Sequence, residues 1–325
     1  MRLEVEIRHW RLREPFTIAR GTMTTADAVI VCLTDGRVTG RGEAYGIIYE
    51  GESPETLVAQ IESLRSVIEA GIDRAALARL LPRGGARCAL DCALWDLEAK
   101  RSGRPAWQAA GLPAPWPVET AFTIGMRSLD AVRETAARHA DFPLLKLKVG
   151  GDDPLAIIRA ARAGAPDSRF IVDPNQSWRV ADVFALADQL HQLGVVLLEQ
   201  PVPVSDDDGL QDYRGPVAIC ADELVHDRSD LGLAKGKYSH VNIKLDKAGG
   251  LTEALALADA ALAAGHRLMV GCMAGSSLAM APAHLVAQLC DYVDLDGPLL
   301  QLDDWAPALT YAAGRLAPPE PALWG

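Results

Sequence analysis

Apolar residues follow two rhythms along this chain. From residue 120 onward, short runs rich in β-branched residues recur: TAFTI (120–124), LLKLKV (144–149), FIVD (170–173), VVLLE (195–199), VAICAD (217–222), HVNIKLD (240–246), RLMVG (267–271) and YVDLD (292–296). Between them lie longer amphipathic or alanine-rich stretches such as SLDAVRETAARHA, DPLAIIRAARAGA, VADVFALADQLHQLG and LTEALALADAALAAG. The short runs read as strands and the longer ones, with apolar positions every three or four residues, as helices. Strands separated by helices indicate a parallel sheet. Eight such units in roughly 180 residues fit a closed (β/α)8-type barrel, a modified TIM barrel in the α/β class, better than an open sheet. No GxGxxG follows the first strand, which counts against a dinucleotide fold.

The N-terminal stretch is patterned differently. LEVEIRHWRL and ADAVIVCLTDG read as antiparallel strands joined by a loop around Arg20–Thr25, while SPETLVAQIESLRSVIEAG and GARCALDCALWDLEAKRSG read as helices. We therefore expect an α+β capping domain over residues 1–115, closing at the proline-rich LPAPWP, and a barrel over 116–299. The tail, 300–325, is expected to pack back on the cap, and the acidic SDDDG (205–209) to be a solvated loop.

Composition narrows the partners. Of 325 residues, 49% are hydrophobic, enough for a large core, and 32 Lys+Arg against 43 Asp+Glu give a net charge of −11. With no basic patch, nucleic acid and anionic membranes are excluded as expected partners. The start MRLEVEIRHW has no apolar h-region and no run of about 18 apolar residues occurs, so a cytoplasmic protein is expected. The cysteines at 32, 88, 92, 220, 272 and 290 mostly sit in apolar segments without a CxxC pair. They read as small buried hydrophobes in a reducing compartment.

The polar residues that interrupt the strands are the candidate chemistry. Side chains two apart on a strand share a face, so Lys146 and Lys148 of PLLKLKVG point the same way from a strand that is otherwise apolar. Asp173, Glu199 and Asp222 end the third, fourth and fifth barrel strands, Lys244 (with Asp246) the sixth, and Asp294 and Asp296 the eighth. This C-terminal rim is where barrel enzymes carry their sites. One strand-end Asp is as readily a helix N-cap, but three acids on adjacent strands repel unless a cation sits among them. All-oxygen ligands suit Mg²⁺ rather than Zn²⁺. Strands two and six face each other across an eight-membered ring, so a carboxylate substrate on the ion would have Lys148 on one side of its α-carbon and Lys244 on the other. Lysine serves as a base when neighbouring cations depress its pKa, as Lys146 and Mg²⁺ would beside Lys148. The alternative is that the lysines only neutralise the acids.

At this point the chain resembles the enolase superfamily, specifically its muconate-lactonizing subgroup. The resemblance rests on KLK (146–148), VDPNQSW around Asp173, LLEQPV around Glu199, ADE (221–223), NIKLDKAGGLTEAL around Lys244 and the cap helix RCALDCALWDLEAKRSG. A lysine or histidine base with Mg²⁺ is the established pattern of such sites. The resemblance implies Asp173, Glu199 and Asp222 as Mg²⁺ ligands, Lys148 and Lys244 as the acid/base pair, and Lys146 as an electrostatic neighbour of the substrate carboxylate. It also implies supporting roles for Asn175 and Glu223. The D-x-D of VDLDGPLL is similar to that of dipeptide epimerases and implies that Asp294 and Asp296 hold a substrate ammonium. Arg20, in FTIARGT, stands where L-Ala-D/L-Glu epimerases carry an arginine for the glutamate side chain. In GCMAGSS the small Ala274 and Gly275 depart from several relatives. The expectation is an isomerase that epimerises a dipeptide, best L-Ala-D/L-Glu, by two-base proton transfer through a metal-stabilised enolate. Homo-oligomers are common among such barrels. The alternatives are a muconate-type cycloisomerase, an N-acylamino-acid racemase or o-succinylbenzoate synthase using the same ion, a Schiff-base lyase acting through Lys244, and a binding barrel without catalysis.

Overall fold

The structure is a computed structural model that describes residues 1–150 and 153–325. Eight strands lie side by side in chain order, Phe122–Ile124, Leu144–Lys148, Arg169–Asp173, Val195–Glu199, Ala218–Ala221, His240–Ile243, Arg267–Gly271 and Tyr292–Asp294, every neighbour parallel. The first and eighth meet through Ala121 N donating to Val293 O at 2.8 Å, which closes the ring. The expected barrel is present.

Helices Leu129–Arg138, Pro154–Gly164, Val180–Gln192, Leu251–Ala263 and Ser277–Ala287 cover the ring. Their termini follow the usual chemistry: Ser128, Asp153 and Ser276 cap the first, second and last with side-chain oxygens, leaving fewer backbone N–H groups unpaired. The alternation is less regular than eight full units. The fourth connection carries only a 3₁₀ turn, Asp207–Leu210, and the eighth strand runs into another, Gly297–Leu300. That fourth connection is SDDDG, a solvated loop as expected at Ser205, Asp206, Asp208 and Gly209, with one exception. Asp207 is buried, with Lys237 Nζ at 2.6 Å and Tyr238 Oη at 3.1 Å, so a compensated acid anchors the loop.

The cap is a three-stranded antiparallel sheet, Arg2–Ile18, Gly21–Asp35 and Val38–Ala44, packed on helices Pro54–Ser63, Arg65–Gly71, Arg74–Leu80 and Gly85–Ser102. Two details differ from the sequence reading. The hairpin turns at residues 19–20, so the segment expected as a loop, Arg20–Thr25, lies mostly inside the second strand, paired as Thr17 to Thr22 and Arg11 to Thr25. The third strand, VTGRGEA, was not anticipated. Its Gly40 and Gly42 press on the long helix: a Cβ at Gly42 would stand 2.1 Å from Ala89 O. The tail touches both units. Tyr311–Ala312 and Arg315–Leu316 form a hairpin paired with Val118–Glu119, and Trp324 Nε1 donates to Cys92 O on the cap helix at 3.0 Å. No helix among the described residues is long and apolar enough to cross a membrane.

Candidate active site

The barrel interior is built in layers, and the lowest explains the next. Leu144, Ile171, Leu197, Cys220 and Met269 pack together inside the ring. Since strand side chains repeat every two residues, Lys146, Asp173, Glu199 and Asp222 occupy the next positions on the same inward face, one layer toward the C-terminal rim. All four are buried. On the seventh strand that layer holds Gly271. A Cβ there would meet Asn242 at 2.9 Å and Lys244 Cε at 3.2 Å, so the glycine leaves the sixth-strand lysine its room.

Lys146 sits at the centre. Its Nζ is 2.8 Å from Asp294 Oδ2, 2.7 Å from Glu199 Oε2 and 3.4 Å from Asp173 Oδ2. Lys148 Nζ reaches Asp173 Oδ2 at 2.5 Å, and Lys244 Nζ reaches Asp222 Oδ2 at 2.7 Å. The two flanking lysines thus approach the acid cluster from the second and sixth strands. Arg20 pairs with Glu223 and lies over the Tyr49 ring, 4.7 Å from its centroid. Asp294 accepts from Thr123 Oγ1 at 3.1 Å, and Asp296 from Thr123 N at 2.5 Å. Lys146, Lys148, Lys244, Asp222, Asp294, Asp296 and Arg20 all line one cavity of about 440 Å³. Its remaining wall comes largely from the cap, with Phe16, Ile18, Met23, Ile48 and Tyr49, and from Met273 and Ala274 after the seventh strand. Asp246, which the sequence grouped with Lys244, lies outside this set and accepts Tyr45 N and Gly46 N of the cap, each at 2.8 Å.

Electrostatics follow from burial and crowding. Burial would raise Asp173, but Lys148 and Lys146 outweigh it and hold the acid below the usual carboxylate value. Asp222 is likewise driven well below by Lys244 and Lys247, against burial. Glu199, pushed by burial and then by Asp173, rises to about 7. Asp296 rises to about 7 through burial and the proximity of Asp294. Lys146 and Lys244 stay above the ordinary lysine value although burial opposes them, because acids surround both. Around these two lysines the carboxylates dominate the local field.

Do these residues fit a divalent cation? Among the described residues no three ligating side chains stand open as a cage; Asp173, Glu199 and Asp222 each face an ammonium group instead. Yet the donor set is entirely oxygen, on three neighbouring strands. One buried oxygen beside it, Asn175 Oδ1, makes no hydrogen bond, and Glu199 Oε2 meets only the Lys146 ammonium, 2.7 Å away. Buried oxygens normally have partners, and a hard cation satisfies such a set. The residues fit Mg²⁺.

Several participants went unpredicted. Gln200 is fully buried, accepts Asp222 N and Leu224 N, and so frames the Asp222 loop. Asn242 Nδ2 holds Glu199 Oε1 at 2.9 Å. Thr123 serves both acids of the eighth strand. Each lies in a segment quoted above, but a lone amide or hydroxyl carries no signal that separates it from a core or surface position.

A capped (β/α) barrel whose rim gathers acids from strands three to five between lysines from strands two and six defines a class: enzymes that stabilise negative charge beside a carboxylate while a lysine handles the α-proton. The chain belongs to the enolase superfamily, in its mandelate racemase/muconate lactonizing branch. Residues 2–111 match the mandelate racemase / muconate lactonizing enzyme N-terminal domain, and residues 129–321 the enolase C-terminal domain-like family. The chain is 42% identical to the L-Ala-D/L-Glu epimerase of Escherichia coli K12, over 94% of this chain and 96% of that one. It is 41% identical to the N-acetyl-D-glutamate racemase of a Pseudoalteromonas species, over 91% and 95%. A crystal structure of an Agrobacterium tumefaciens enolase family member with homology to dipeptide epimerases, holding sodium and L-Ala-L-Glu, superposes with a TM-score of 0.96 at 44% identity, covering 99% of each chain.

Proposed function

We propose that this protein is a cytoplasmic Mg²⁺-dependent dipeptide epimerase that inverts the C-terminal residue of L-Ala-L-Glu or L-Ala-D-Glu. The observation that carries the reading is the single cavity in which Lys148 and Lys244, on opposite strands, flank the acids while Asp294, Asp296 and Arg20 complete the wall. Kinship supports it: solved dipeptide epimerases of the family hold Mg²⁺ with a dipeptide. In this reading residues 1–115 act as the cap that shapes the substrate pocket, and 116–299 as the catalytic barrel.

Asp173, Glu199 and Asp222 would hold Mg²⁺, which supplies electrophilic stabilisation of the charge that develops on the substrate carboxylate. Lys148 would take the α-proton on one face and Lys244 would return a proton on the other, and the roles reverse for the other epimer. Lys146 places a fixed positive charge beside the carboxylate site. Asp294 and Asp296 receive the substrate's free ammonium group, and Arg20 the side-chain carboxylate, a contact for which a guanidinium fork is suited. Phe16, Ile18 and Ile48 give the cap side of the cavity an apolar wall.

L-Ala-L-Glu incubated in D₂O with Mg²⁺ should yield L-Ala-D-Glu with deuterium at the glutamyl α-carbon, followed by NMR and mass spectrometry. Lys148→Ala or Lys244→Ala should abolish epimerisation; full turnover in either rules out two-base transfer. One observation favours a second substrate. Asp294 already spends charge on Lys146, and a relative 41% identical is an N-acetyl-D-glutamate racemase. Assaying N-acetyl-glutamate beside the dipeptide separates the two, since a site built for ammonium should prefer the free amine at least tenfold.

A further inference from the structure

Lys247 is the one lysine of the cluster that lines no part of the cavity. It is fully buried, three residues after Lys244 on the short helix Leu245–Ala248. Its Nζ donates to Asp222 Oδ1 at 2.7 Å, Val225 O at 2.9 Å, Asn242 O at 3.0 Å and also Asp222 O. Four oxygens therefore converge on an ammonium with three protons, and they come from the fifth-strand loop and the sixth strand.

The consequence falls on Asp222. With Oδ1 tied to Lys247, only Oδ2 remains directed at the cavity, where Lys244 meets it. A carboxylate bound through one oxygen rotates freely unless the other is held. Groups behind a metal ligand typically set its orientation and change ion affinity 10- to 100-fold when removed. Carbonyl groups alone could be satisfied by any neutral donor. A cation is needed only where a buried negative charge must be offset, and Asp222 is that charge.

We propose that Lys247 is a positioning residue for ion binding, which fixes the Asp222 carboxylate so that a single oxygen is offered to Mg²⁺. This rests on the reading of Asp222 as a ligand. Lys247→Met removes charge and donors together, whereas Lys247→Gln keeps an N–H donor for the carbonyls and removes only the charge. Calorimetric titration of the substrate-free protein with MgCl₂ should show affinity at least about tenfold weaker in both variants than in wild type, with circular dichroism unchanged. Wild-type affinity in either folded variant would overturn the proposal, as would collapse of the fold in both, which assigns the residue to stability alone. Failure of wild type itself to bind Mg²⁺ is a distinct result and would remove the ligand reading with it.

Discussion

Asp296 is the residue at which the proposed reading of the substrate amine can be tested alone. It shares the eighth-strand rim with Asp294, but Lys146 contacts Asp294 at 2.8 Å while Asp296 accepts from Thr123 and has no ammonium paired with it among the described residues. Asp296 thus retains more capacity for a cationic ligand. A charge-assisted bond is worth about 2 kcal/mol, so Asp296→Asn should raise KM for L-Ala-L-Glu by about 10- to 100-fold. It should leave N-acetyl-glutamate turnover within about twofold; equal loss on both substrates would show that the acid shapes the site rather than reads the amine. The residues that bear charge at strand ends were legible because a lysine or aspartate inside an apolar run has no cheap structural excuse. Lys247, Gln200 and Asn242 were not, because their work depends on which backbone oxygen or carboxylate lies across the fold from them.

At the scale of elements, legibility tracked hydrophobic density. The barrel strands announced themselves by β-branched runs, and four barrel helices by their spacing of apolar positions. Val38–Ala44 did not, since VTGRGEA offers two glycines where a strand normally shows side chains. Those glycines are the reason that strand can exist where it does. The long helix Gly85–Ser102 lies so near that a Cβ at Gly40 would approach Ala93 O to 2.2 Å, and at Gly42 Ala89 O to 2.1 Å. The obstacles are backbone atoms and cannot swing aside. Gly42→Ala should therefore cost about 3 kcal/mol, lowering the calorimetric midpoint by on the order of 5 °C in a protein of this size. An unchanged midpoint would mean that sheet and helix do not approach so closely. The hairpin was misjudged for a related reason: Thr22–Thr25 has a single apolar residue, Met23, and nothing in its pattern reveals that it pairs with Arg11–Thr17.

Cap and barrel are joined by buried acids that accept backbone N–H groups from the opposite unit, and no local pattern could have foretold that. Glu43 of the third cap strand accepts Ser276 N at 2.8 Å and Trp10 Nε1 at 3.0 Å, and Ser276 Oγ as well. Asp246 accepts Tyr45 N and Gly46 N, and Asp91 accepts Thr252 N at 2.9 Å and Thr252 Oγ1 at 2.6 Å. Burial is the leading cause that raises all three, Glu43 to about 7 and the two aspartates to about 6. An acid that holds its proton more tightly when folded stabilises the fold at low pH and loses that contribution as pH climbs through its folded value. His226, His240 and His284 act in the opposite sense. Burial lowers each to about 4, so the fold loses stability as pH falls from 6.5 toward 4. Unfolded histidines are still half protonated at about pH 6.5 and finish losing their protons by about pH 7.5, which offsets part of the acids' slope. The acids raised to about 7 outweigh them. Stability should therefore decline from pH 6.5 to 8. Glu43→Gln, which keeps the shape and cannot ionise, should remove about 1 kcal/mol of that decline, out of about 3 kcal/mol over the full titration. Glu199 and Asp296 titrate in the same window but are common to both proteins, so the difference between wild-type and variant unfolding curves isolates the seam. If urea unfolding at pH 6.5 and 8 gives both proteins the same slope, Glu43 is not the group that couples protonation to the closing of cap on barrel.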